Sequence, residues 1–218
     1  MDYRTVLNEI YSVGKVMEGL GNVATYIPEL SNVDPDKFGI YLLTLDRQGY
    51  GIGDDKERFS IQSISKIFTV SMAIRILGES VWKRVGVEPS GSSFNSMVQL
   101  EYEKGYPRNP LINPGALVIA DMLISNLANP KEDLLDFVRM VSGYESITFD
   151  EKVAESEKRT GFRNAAMAYM LKAFNNLDND IDTVLDFYFH QCSITMSCKE
   201  LASAFFYFAN KGYTYDNS

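Results

Sequence analysis

Apolar residues crowd the stretch after Ser63: Ile64, Ile67, Phe68, Val70, Met72, Ala73, Ile74, Ile76 and Leu77 fall nearly all round a helical wheel. A helix that is hydrophobic on most sides is buried on most sides. The pattern therefore predicts a core helix over 63–77, stopped at Gly78. Ahead of it, 4–19 reads as a helix ending at Gly19 and Gly21, and Asn22 to Leu30 as a loop or short helix. Phe38 to Leu45 is rich in β-formers, Asp46-Arg47-Gln48-Gly49 is a turn, and Tyr50 to Gly53 opens a second strand, so the segment predicts a hairpin. Beyond Ser63 the periodicity is helical. Segments are expected near 79–85, from Pro114 to about Ser125, from Asn129-Pro130 to near Gly143, and over 150–158, 163–175, 180–190 and 197–210. Two strands do not make a stable sheet alone. The hairpin must lie on helices or take strands from elsewhere, and more strands are expected past Asp216-Asn217-Ser218.

The candidate chemistry sits at the mouth of the 63–77 helix. Ser63 and Lys66 are three apart, which puts a hydroxyl and an amine on one helical face. Ser-x-x-Lys also occurs at Ser12/Lys15 and Ser80/Lys83, but the first contains Gly14 and the second is followed by Arg84. Only Lys66 is embedded in an apolar run, the sole charge between Arg58 and Arg75. Burial disfavours its charged form and lowers its pKa, and a neutral amine can take a proton from a serine. The competing reading is a lysine that snorkels to water from a core helix, which residue frequencies alone favour.

Composition narrows the classes. The chain has 218 residues, enough for one large domain or two small lobes, with 45% hydrophobic and 23% charged residues. A net charge of −8 argues against a nucleic-acid or anionic-membrane surface. No apolar run reaches membrane-spanning length and Met1-Asp2-Tyr3-Arg4 is not a signal peptide, so a cytoplasmic protein is expected. Cys192 and Cys198 make no disulfide framework, and with His190 they lack a fourth zinc ligand and the usual spacing. Buried reduced thiols are the expectation. A single histidine also leaves a Ser-His-Asp triad improbable, so a serine hydrolase here needs another base, and Lys leads.

Further blocks join the Ser63 segment. They are Asn22 to Pro28, Val87-Glu88-Pro89-Ser90-Gly91, Phe94-Asn95-Ser96, Asn109 to Ala116, Ser156-Glu157 with Arg163-Asn164, and Phe187-Tyr188-Phe189 with Gln191-Cys192-Ser193. In their order and spacing, from about Tyr26 to Gly212, they resemble the serine-dependent glutaminases, which hydrolyse L-glutamine to L-glutamate and ammonia. The resemblance implies an α+β fold like that of the β-lactamases and penicillin-recognising enzymes: mostly helical, with a small antiparallel sheet packed on helices plus a helical lobe, here about 79–150, and the Ser-x-x-Lys pair in the cleft. It implies Ser63 as nucleophile, Lys66 as its proton acceptor and Tyr188 as a relay. It places Tyr26, Gln62, Asn113, Glu157 and Asn164, with Ser63 and Tyr188, around the substrate. Glu157 would meet the α-ammonium of glutamine, and Tyr26, Asn113 and Asn164 would hold its carboxylate. It implies no metal or organic cofactor, and a homo-oligomer, a dimer in the simplest case.

The sequence departs from the family in two places. Pro114 stands where many members have Ala. Family members also continue past the 197–210 helix with further strands, a pocket tyrosine and an oxyanion-hole N–H. The 218 residues are therefore expected to form a single glutaminase domain shortened at its C-terminus, weakly active or inactive, and prone to self-association. Two readings compete: a β-lactamase or penicillin-binding-like serine hydrolase, and an inactive truncated homologue that binds a ligand or a protein.

Overall fold

A computed structural model describes residues 2–17 and 19–214. In chain order its elements are α1 (Tyr3–Val16), β1 (Gly39–Leu43), β2 (Gly49–Gly53), β3 (Phe59–Ser60), α2 (Lys66–Leu77), α3 (Met97–Tyr102), α4 (Asn113–Asn126), α5 (Pro130–Ser142), β4 (Thr148–Phe149), α6 (Glu151–Thr160), α7 (Phe162–Ala173), α8 (Ile181–Cys192), β5 (Ile194–Met196), α9 (Cys198–Ala204) and α10 (Phe206–Ala209). Short 3-10 turns lie at Pro28–Asn32, Gln62–Ser65 and Gly78–Lys83. The fold is mostly helical with small antiparallel sheets: β1-β2, and a second sheet of order β3-β5-β4. The described chain divides into two units, one drawn from 1–60, 138–148 and 195–218, the other from 61–137 and 149–194.

The first unit is built on the hairpin. β1 and β2 run antiparallel with Gly39 opposite Gly53 and Leu43 opposite Gly49, and the turn closes by Thr44 N–H donating to Gln48 O at 3.0 Å. Two strands need cover, and α1 supplies it. Asp2 caps that helix, accepting from the N–H groups of Arg4 and Thr5. Its inner face places Tyr11 in a stack on Phe38, ring centres 5.2 Å apart. Gly14 makes the approach possible, because a Cβ there would meet the Phe38 ring at 2.5 Å. α9 opens on a capping box: Ser197 and Glu200 satisfy each other's backbone N–H. Glu200 also holds the Arg58 guanidinium, whose Nη1 donates to Ser146 O at 2.8 Å.

The second unit is organised around α4. Every residue from Asn113 to Leu123 is buried, which is the signature of a helix packed on all sides. α2, α7 and α8 pack against it. Pro114 occupies the first turn, where its missing N–H costs nothing. Asp121 is the one carboxylate on this helix, and it is fully buried. It accepts from Arg84 Nη2 at 2.6 Å, from the N–H of Asn179 at 2.8 Å and of Asp178 at 3.1 Å, and from Asn179 Nδ2 at 2.9 Å. Burial alone would raise its pKa, but those N–H donors and the guanidinium outweigh it and hold the carboxyl below the usual range. The clamp ties α4 to the loop before α8.

Most predicted helices appear, with shifts at their ends. α1 stops at Val16 with Met17 as its cap rather than at Gly19, and Glu18 lies outside the described residues. The 63–77 helix is a 3-10 turn over Gln62–Ser65 followed by α2 from Lys66. The stretch expected to be helical over 79–85 is 3-10 over Gly78–Lys83. The 197–210 helix breaks at Phe205 into α9 and α10. α3 and the strands β3, β4 and β5 were not expected. Asp216 to Ser218 lie outside the described residues.

Candidate active site

The site grows from the turn that carries Ser63. Gln62 stands in the left-handed region at φ 47°, which is rare for a residue with a side chain. Ser65 Oγ donates to Gln62 O at 2.6 Å and closes the turn from below. Side chains three apart eclipse one another on a 3-10 helix. The turn thus stacks Ser63 and Lys66 along one line, with the serine at the surface and the lysine inside. Ser63 is exposed, whereas Lys66 is only 2% exposed.

The lysine does not snorkel. Its Nζ donates to Leu111 O at 3.1 Å and to Asn113 Oδ1 at 2.7 Å. Asn113 in turn donates through Nδ2 to Asn164 Oδ1 at 2.9 Å. α2, α4 and α7 are so joined by one chain of polar side chains. Burial pushes the Lys66 pKa down, and the Glu157 carboxylate opposes that shift. A neutral amine has two N–H groups and one lone pair; an ammonium has three N–H groups. Two acceptors therefore satisfy the neutral form and leave its lone pair free. No hydrogen bond joins Lys66 to Ser63 among the described residues. Catalytic contacts in a resting site are commonly longer than in the reacting complex.

Glu157, on α6, is buried at 6% exposure, and its Oε2 has no hydrogen-bond partner among the described residues. Burial raises its pKa to about 7, against the opposing pull of Lys66. A carboxyl with an unpaired oxygen is primed for a cationic or donor group. Tyr188 lies buried on α8, one turn before Cys192. Burial pushes the Cys192 thiol far up, so it stays protonated.

Seven of the eight predicted residues, Gln62, Ser63, Lys66, Asn113, Glu157, Asn164 and Tyr188, belong to the second unit. Hydrogen bonds bring Lys66, Asn113 and Asn164 together, and charge couples Glu157 to Lys66. Tyr26 belongs to the first unit, where it is 70% exposed beside the Pro28–Asn32 turn. Sequence reasoning missed Ser65 and the Leu111 carbonyl, although Ser65 lies inside the Ser-x-x-Lys motif. His190 is engaged elsewhere: its Nδ1 lies 2.7 Å from Asp186 O, and its ring meets Phe149 edge-on. Among the described residues no group of three or more His, Cys, Asp or Glu is placed to hold a metal ion.

An exposed serine three residues ahead of a buried lysine thus stands on a mostly helical scaffold with small antiparallel sheets. The glutaminase family model matches residues 21–218, and the chain belongs to that family, the hydrolases of the glutamine side-chain amide. A glutaminase from Saccharophagus degradans is 54% identical over 212 residues, covering 97% of this chain and 69% of its own length. One from Christiangramia forsetii is 52% identical, covering 97% of this chain and 70% of its own length. Among solved structures, the probable glutaminase YbaS superposes with a TM-score of 0.91 at 30% identity, over 98% of this chain and 70% of that one.

Proposed function

We propose that glutamine hydrolysis here runs through an ester on Ser63. The hydroxyl oxygen attacks the side-chain amide carbon while neutral Lys66 takes its proton and Tyr188 shares it. Backbone N–H groups, that of Ser63 among them, meet the oxyanion. Lys66 then returns the proton to the amide nitrogen, the carbon–nitrogen bond breaks, and ammonia leaves. Water adds to the glutamyl ester with Lys66 again accepting a proton, and glutamate departs as Ser63 is reprotonated. Glu157 receives the α-ammonium, and Asn113, Asn164 and Gln62 line the rest of the substrate site. A pocket of such groups rejects analogues that lack the amine or the acid, since its polar atoms would be left unpaired.

The observation that carries this reading is the Lys66 amine, buried with two acceptors for two N–H groups. Hydroxylamine tests it, because a seryl ester would be diverted to glutamyl hydroxamate. Hydroxamate should form with the wild-type chain and vanish in S63A. Full turnover by S63A would end the assignment. A chromogenic β-lactam run alongside should remain uncleaved.

The acidic balance of the chain supports work on a small molecule without nucleic acid. Among the described residues no helix is long and apolar enough to cross a membrane. We place the protein in the cytoplasm as a homo-oligomer, a dimer in the simplest case. Sedimentation of the purified chain checks the second point.

A further inference from the structure

The geometry points to a second binding site in this chain: a cavity of the first unit, walled in part by Arg47, Lys199, Ser203 and Tyr41, that takes a small organic anion bearing two or more negative charges. None of these residues is assigned a part in glutamine hydrolysis above.

Three segments far apart in sequence build the cavity: the β1-β2 hairpin, residues 142–144 at the end of α5, and α9. All three belong to the first unit. The volume is about 440 Å³. Small-molecule pockets run from about 300 to 1,000 Å³, so this one is of metabolite size and too large for a lone inorganic anion to fill. The hairpin turn is fixed from within, since Gln48 N–H donates to Thr44 Oγ1 at 3.1 Å. Arg47 stands in that turn at φ 64°, in the left-handed region that favours glycine. A long cation in such a place points to a use for its guanidinium. Tyr41 covers Gly49 so closely that a Cβ there would collide with the tyrosine hydroxyl. α9 packs on β1 and carries Lys199 and Ser203 four residues apart, hence on one face. Lys199 Nζ also lies 5.9 Å from the centre of the Tyr144 ring.

Charge and an open hydroxyl set the chemistry. Among the described residues the cavity wall carries an arginine and a lysine and no carboxylate. The chain as a whole has a net charge of −8, so an anion is drawn to it only where cations are gathered locally. Ser203 is 6% exposed, and its hydroxyl has no hydrogen-bond partner among the described residues. Buried hydroxyls are normally satisfied, so an unsatisfied one at a cavity wall is a donor for a ligand. A guanidinium fork grips a carboxylate or phosphate through two parallel hydrogen bonds, and an ammonium adds a point charge. Tyr144 and Leu43 supply apolar wall for a carbon skeleton. Polycarboxylates and phosphorylated metabolites share the chemistry that fits.

Isothermal titration of the full chain with citrate and, separately, with ribose 5-phosphate distinguishes the two sources. Inorganic phosphate and sodium chloride at matched ionic strength are the comparisons. One of the two organic anions should bind saturably, with a Kd of about 1 mM or tighter, and more tightly than inorganic phosphate. R47A, K199A and S203A should each weaken it by about fivefold or more, the last with the charge unchanged. R47K keeps the charge but loses the fork, and should fall between wild type and R47A. K152A removes a cation from α6 and should bind like wild type. No saturable binding of either organic anion would overturn the inference. So would equal affinity for inorganic phosphate, an equal loss in K152A, or undiminished binding by S203A. Arg47 and Lys199 are exposed, so their variants decide alone if S203A fails to fold.

Discussion

Lys66 Nζ lies 2.7 Å from Asn113 Oδ1, and the neutral amide there is what allows the amine to be neutral too. A carboxylate in the same place would favour the ammonium. N113D keeps the shape, puts a charge beside the amine, and gives up the Nδ2 donor to Asn164. It should raise the Lys66 pKa, move the alkaline rise of kcat to higher pH, and cut kcat near pH 7 by about tenfold or more. N113A should lower activity without moving the profile upward. The pH dependence of kcat for the pair decides the matter, and a profile unmoved by N113D would remove Lys66 as the base.

Glu157 should set an acid limb on substrate capture. Its pKa is raised to about 7 by burial, and only the ionised carboxylate meets an ammonium. kcat/KM for glutamine should therefore fall as pH drops below about 7, and E157Q should lose that limb while raising KM. Stability runs the other way. An acid whose folded pKa lies above its unfolded value binds more protons folded than unfolded, so stability falls as pH rises from about 4.5 to about 7. A shift of that size corresponds to an energy on the order of 3 kcal/mol. E157Q should thus melt higher than wild type at pH 8, with the advantage gone at pH 4.5. Calorimetry at the two pH values checks this sign, and equal melting temperatures at pH 8 would contradict the burial argument.

The Asp121 clamp should be a matter of stability. Removing one partner of a buried pair leaves the other charge uncompensated, at a cost of about 3–5 kcal/mol. D121A should approach that loss, whereas D121N, which keeps part of the hydrogen bonding, should lose less. The Asp121 pKa is lowered in the fold. Its contribution is therefore fully present above the ordinary aspartate range and lost as pH falls through the lowered value. Urea unfolding from pH 7 downward should show wild type and D121N converging in strong acid.

These expectations also mark what the sequence discloses. The 63–77 core helix was legible because it is apolar nearly all round, α4 because Pro114 suits a first turn, and the hairpin because β-formers flank Asp46-Arg47-Gln48-Gly49. The strands β3, β4 and β5 were not, since two or three residues carry no periodicity. α3, six residues long, hid for the same reason. Lys66 was readable as a lone charge in an apolar run. Its acceptors were not, because Leu111 and Asn113 stand 45 and 47 residues away, and Asn164 another 51 beyond Asn113. The Asp121 carboxylate inside an otherwise apolar helix was a visible signal, since a buried charge demands a partner.

Gln62 offers the last test, because it separates backbone from side chain at the residue before the nucleophile. A non-glycine residue at φ 47° stores strain on the order of 1–2 kcal/mol. Glycine adopts that conformation freely but costs up to about 1 kcal/mol in unfolded-state entropy. Q62G should therefore be as stable as wild type or slightly more so. Q62A keeps the strained backbone, loses the amide, and should be less stable than Q62G by about 1 kcal/mol. Both variants should raise KM for glutamine if the amide lines the site. Only Q62G should also lower kcat, because glycine frees the peptide that aims Ser63. Thermal melts and a kcat–KM split on the two variants read all three effects. Equal kcat in Q62G and wild type would mean that the turn is held without help from residue 62, by the Ser65 hydrogen bond alone.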